Sequence, residues 1–230
     1  MNLNQIYKQC LSDIGGESNQ DIRWYLHERP KIISRKNFFE QTVWAIWVSG
    51  KSRKAAEAFL KHAEESGYVC DFNNFGSWDR RHLRHFMEKL HGRPVPEQAY
   101  KRWQSLYDIS KELRIYSNED DFRNSFFGGK LKSADLDKSD VQNIITRRFP
   151  FIRNANASFI LRNMGGEFIK CDRWLDVFIR HYKISLDELE KRIQRLNIPL
   201  GLFDVVIWAY CENFVGNTNE FDKHLKKVFA

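Results

Sequence analysis

The stretch from Phe149 to Ile179 reads FPFIRNANASFILRNMGGEFIKCDRWLDVFI. Pro150 stops a helix that runs from Ser139 to Phe149, because proline lacks the N–H that a helix interior needs and restricts the residue before it. Phe151-Ile152-Arg153-Asn154 then makes a short hairpin, and Ala155 to Asn163 forms a second helix capped by Gly165-Gly166. Glu167 to Cys171 is an extended link. Asp172 is a good N-cap residue in front of an apolar periodic run, so it opens a third helix that reaches about His181.

The same punctuation extends in both directions. Apolar residues recur mostly at helical spacing, and strand-like alternation is hard to find. Helices are expected over Met1 to Ile14, Asp21 to His27, Lys36 to Val48, Arg53 to Ser66, Trp78 to Leu90, Glu97 to Arg114 and Asp120 to Phe127. Downstream, Ser185 heads a helix over Leu186 to Leu196. Pro199 starts one that runs to about Phe214, and Phe221 to Phe229 closes the chain. The segment Phe38 to Val48 is apolar on nearly every side and predicts a buried helix. The fold class is therefore all-α. Residues 1–230 read as one two-lobed helical unit, with the lobe boundary around 128–138 and the helix–hairpin–helix at about 139–163.

The 230 residues are 42% hydrophobic, enough for a sizeable core and against global disorder. Lys and Arg number 37 against 30 Asp and Glu, a formal charge of +7. With acids still abundant, the surplus predicts a positive face on a folded body rather than a basic tail, and nucleic acid is the commonest partner for such a face. Cys10, Cys70, Cys171 and Cys211 are too scattered for a zinc knuckle or a redox pair and read as reduced thiols. The seven histidines show no metal-ligand spacing. The N-terminus lacks a signal-peptide core, and no run approaches the roughly 20 apolar residues of a membrane span. A cytoplasmic protein with no membrane association, no cofactor and no obligatory protein partner is expected.

Helix, hairpin, helix and then an aspartate opening the next helix resembles the helix-hairpin-helix (HhH-GPD) DNA glycosylase superfamily. Two further stretches, Ala157 to Gly165 and Ile198 to Trp208, are similar to the branch that excises oxidised guanine, including its archaeal forms. Phe38 to Leu60 is similar to the family's first buried helix and the DNA-facing turn after it. The resemblance implies that Asp172 is the catalytic carboxylate and that Asp204 and Trp208 contribute to the base pocket. This chain departs from the pattern at the hairpin, where Phe151 and Arg153 replace glycines that let the backbone approach a phosphate. Arg153 would then meet the phosphate through its side chain. Ala155 stands where some members carry a lysine nucleophile, so the resemblance implies base release by water without strand cleavage.

An aspartate suits this chemistry because breaking an N-glycosidic bond builds positive charge on the sugar. A fixed carboxylate beside that charge stabilises the transition state more than the ground state. The base must first leave the duplex and find stacking surfaces, for which Trp208, Trp44, Trp47 and Phe151 are the candidates. Ser49, Lys51, Arg153, Asn154, Asn156, Lys170 and Arg173 are the candidate DNA contacts.

Each residue also has a plainer reading. Asp172 is equally an N-cap. Asp204 and Trp208, one helical turn apart, are equally a solvated acid and a core ring. Trp44 and Trp47 are equally core, and Lys170, Arg173 and the Ser49 to Lys54 turn equally solvated. The reading that follows is a monofunctional glycosylase acting on double-stranded DNA that contains a modified base. The base is either an oxidised or alkylated purine in repair, or a glucosylated hydroxymethylcytosine of phage DNA in defence. A non-catalytic helix-hairpin-helix DNA-binding module and a helical protein-interaction domain are the alternatives.

Overall fold

A computed structural model describes residues 3–49, 51–136, 145–146, 149 and 152–228. Every regular element among the described residues is helical, as the periodicity predicts. The chain divides into two compact units, one of residues 1–30 with 161–230 and the other of residues 31–160.

The 31–160 unit is organised on α3, Arg35–Val48 (α1 and α2 belong to the other unit). Ser34 caps α3 by accepting the Asn37 N–H. Phe38, Phe39, Val43, Ala45, Ile46 and Trp47 are all buried, so the helix is wrapped on most of its circumference, in line with its density of apolar residues. Around it lie α4 (Arg53–Glu65), α5 (Phe72–Ser77), α6 (Arg80–His91), α7 (Glu97–Ile115) and α8 (Glu119–Phe127).

Aromatic rings fill the spaces between these helices. Phe38 meets Phe122, Phe126, Phe127 and Phe149, and Trp103 meets Trp47, Tyr68, Phe75 and Phe86. The short helix α5 has no counterpart in the sequence expectations. It docks on α7 at Gly76, where a Cβ would lie 3.0 Å from the Ser110 backbone.

The other unit joins the two chain ends. It holds α1 (Leu3–Asp13) and α2 (Gln20–Arg23), which continues as a wider turn over Trp24–Glu28. From the C-terminal side come α10 (Arg173–Tyr182), α11 (Leu186–Arg195), α12 (Leu200–Phe214) and α13 (Thr218–Val228). Helix α12 is the buried axis, with Phe203, Val206, Ile207, Ala209 and Cys211 each at most 1% exposed. The remaining helix, α9 (Asn154–Asn163), contains the division between the units, at 160/161.

The division thus falls at 30/31 and 160/161, not around 128–138. Gly128 with its φ of 56° only ends α8 within one unit. The hairpin expectation lies mostly outside the described residues, as do Pro150 and Phe151. What is described there is Ile152 N–H bonded to the Phe149 carbonyl at 2.8 Å, and α9 starting at Asn154. No described helix is long and apolar enough to cross a membrane.

Candidate functional site

Asp172 sits at the N-terminus of α10 with extended backbone angles, φ −103° and ψ −173°. Its Oδ1 accepts the Trp174 N–H at 2.9 Å and the Leu175 N–H at 3.4 Å. Its Oδ2 lies 3.8 Å from Lys170 Nζ, and the two side chains are only 16% and 14% exposed. Burial pushes the Lys170 ammonium below the usual lysine range, against the pull of Asp172. The carboxylate is thus held by backbone donors at one oxygen and faces an amine with the other.

The link before it is fixed from below. Gly165 and Gly166 turn the chain at the end of α9, with the Gly166 N–H bonded to the Leu161 carbonyl at 2.9 Å. A Cβ on Gly166 would lie 2.6 Å from the Phe168 ring, so the turn requires glycine. Two residues upstream of Asp172, the Lys170 N–H donates to Asp204 Oδ2 at 2.9 Å. The same oxygen takes Arg162 Nη1 at 2.5 Å. Arg162 also donates to Asn163 Oδ1 from Nε and Nη2, and its carbonyl accepts Arg29 Nη1 at 2.9 Å.

Asp204, a base-pocket candidate by the resemblance and a solvated acid by the plainer reading, is engaged by an arginine and a backbone amide. It is 2% exposed, and burial pushes its carboxyl up while Arg162 pulls it down. It acts through the link: by pinning Lys170 it sets where Asp172 begins α10. Arg162, which falls inside the Ala157 to Gly165 stretch, is the residue that sequence reasoning missed. A lone arginine ahead of a Gly-Gly turn looks like surface, and only its burial reveals the pair.

Trp208 is partly buried against the core, one turn beyond Asp204 on α12. Arg173 is more than half exposed, with Nη2 3.4 Å from Glu212 and its guanidinium over the Trp174 ring. A groove of about 440 Å³ in this unit is lined by Leu3, Phe178, Tyr182, Ile184, Arg192 and Leu196 among others. It sits by the C-terminal half of α10, at the end opposite Asp172.

In the 31–160 unit the remaining candidates gather at the end of α3. Trp47 is a core residue, 1% exposed and held between Phe59 and Trp103; Trp44 is partly buried. The Ser49 hydroxyl donates to the Ala45 carbonyl at 2.8 Å and lies 3.1 Å from Asn156 Oδ1, which ties the start of α9 to the end of α3. Lys51 lies over the Trp47 and Phe59 rings. Arg153 and Asn154 are exposed, and Phe151 is not among the described residues.

No family model, no curated protein and no solved structure matches the chain.

Proposed function

We propose that the chain is a monofunctional DNA glycosylase that hydrolyses the N-glycosidic bond of a modified base flipped out of duplex DNA, leaving an abasic site. The observation that carries the reading is the fixed Asp172 carboxylate. Its Oδ1 is immobilised by two backbone N–H groups, and the Arg162–Asp204–Lys170 chain anchors the segment that delivers it. Such a group needs no reorganisation as positive charge grows on the sugar. It also orients the attacking water. The net charge of +7 supports a polyanionic partner. Exposed Arg153 and Asn154, at the start of α9, are the proposed phosphate contacts of the hairpin. Trp208, one turn beyond Asp204 on α12, is the proposed stacking surface for the extruded base. The proposed substrates are glucosylated hydroxymethylcytosine in phage DNA, or oxidised and alkylated purines in repair.

The test is a panel of duplexes: phage DNA with its modifications, the unmodified counterpart, and oxidised and alkylated controls. The reading predicts alkali-labile sites on one modified duplex only, with no covalent protein–DNA complex trapped by borohydride. A trapped complex that Lys170→Met abolishes would replace water with the amine as nucleophile. Tight binding without base release from any duplex would make the chain a DNA-binding module.

A further inference from the structure

Two cations lie against the Trp47 ring in the 31–160 unit. Lys51 Nζ lies 5.1 Å from the Trp47 ring centroid and 4.8 Å from that of Phe59. The Arg102 guanidinium carbon lies 5.4 Å from the same Trp47 centroid. Arg102 is oriented by its bond to the Ser49 carbonyl at 3.0 Å. Neither cation pairs with a carboxylate among the described residues. Burial lowers the pKa of both, and Arg102 lowers that of Lys51 further. The charge reaches a third group: burial, Lys51 and His62 hold His91, stacked on Phe59 and Trp47, below the usual histidine range. In the same stack the buried Trp47 indole N–H has no acceptor among the described residues.

Holding like charges together away from full solvent is unfavourable, and the π faces beneath them offset only part of that. An anion seated between them removes the repulsion. A planar guanidinium fork beside a compact ammonium suits the tetrahedral oxygens of a phosphate. The aromatic floor is not a base platform, because Trp47 is enclosed between Phe59 and Trp103. The chemistry of the pair suits a backbone phosphate rather than a base.

We infer that Lys51 and Arg102 form a two-pronged phosphate clamp that takes a phosphodiester of the bound DNA strand. The clamp rests on the DNA-binding reading for the source of its ligand. It adds Arg102, which the sequence did not single out, and makes the contact independent of base sequence.

The test combines two titrations of the full chain. Duplex affinity is measured against salt for the wild type, Lys51→Met, Arg102→Met, Arg102→Lys and the double methionine variant. His91 is followed by NMR as inorganic phosphate is added. Each methionine variant is expected to flatten the salt slope by about one and to weaken binding equally for all sequences, whereas Arg102→Lys keeps the slope. Phosphate is expected to raise the His91 pKa in the wild type and not in the double variant. Unchanged slopes alongside intact DNA binding would overturn the clamp and leave the DNA reading standing. A His91 response to phosphate without any DNA binding would keep the clamp and overturn the DNA reading. A slope lost equally in Arg102→Lys would reduce Arg102 to a cap on the Ser49 carbonyl and overturn its role here.

Discussion

Asp172 carries a structural role and a proposed chemical one on the same carboxylate, and substitutions separate them. Asparagine caps a helix about as well as aspartate, so Asp172→Asn is expected to keep the cap and to lose only the attraction to the buried Lys170 ammonium 3.8 Å away. Asp172→Ala, which also removes the acceptor for the Trp174 and Leu175 N–H groups, should cost about 1 kcal/mol more than Asp172→Asn in urea unfolding. Arg162 lies deeper. Its side chain is 7% exposed and that of its partner Asp204 only 2%. Arg162→Met leaves a buried carboxylate without its guanidinium partner, and the expected loss is about 3–5 kcal/mol. The sequence showed Asp172 as a cap with a second reading, because its position ahead of an apolar run is a local fact. It did not show that Asp204 faces inward, since one turn of separation from Trp208 leaves both faces of α12 open to an acid.

At the scale of elements, helices with strong apolar periodicity or clear caps were legible to within a residue or two, as α3, α10 and α12 show. Helix α5 was not. Its sequence, FNNFGS, is poor in helix formers, and it is held by docking on α7 through Gly76. A methyl group there meets the Ser110 backbone at 3.0 Å and Arg114 Cδ at 2.8 Å. Gly76→Ala is therefore expected to destabilise the fold by about 1–3 kcal/mol in denaturant melts, despite alanine's better helix propensity. At the end of α6, His91 accepts the Trp103 indole N–H at 3.0 Å, and its pKa is lowered by burial, Lys51 and His62. A histidine that is harder to protonate when folded favours the unfolded chain as acid is added. Stability should fall as the pH drops below the ordinary histidine value of about 6.5. His91→Gln keeps an acceptor for Trp103 and should flatten that acid-side loss in urea melts between pH 7 and 5.

For the whole molecule, the all-helical class followed from periodicity, but the division into units did not. Helix α1 packs with α12 in a core shared by Ile6, Cys10, Phe203 and Cys211, and nothing local in the first helix announces a partner near the other chain end. The glycine pair at Gly128 and Gly129 looked like a boundary because glycine ends helices equally inside a unit and between units. Thiol chemistry reports this core directly. Burial pushes the Cys10 thiol up to about 12, while Cys171 is exposed and raised less. A thiol reagent at pH 8 should label Cys171 first and reach Cys10 and Cys211 only on unfolding.

The proposed role of Asp172 is to stabilise the charge that grows on a sugar as its base departs. Single-turnover base release by wild type and Asp172→Asn, measured on the most responsive modified duplex, tests it most directly. Unchanged duplex affinity is expected, with a rate lower by at least about a hundredfold in the variant. Equal rates for the two proteins would contradict it.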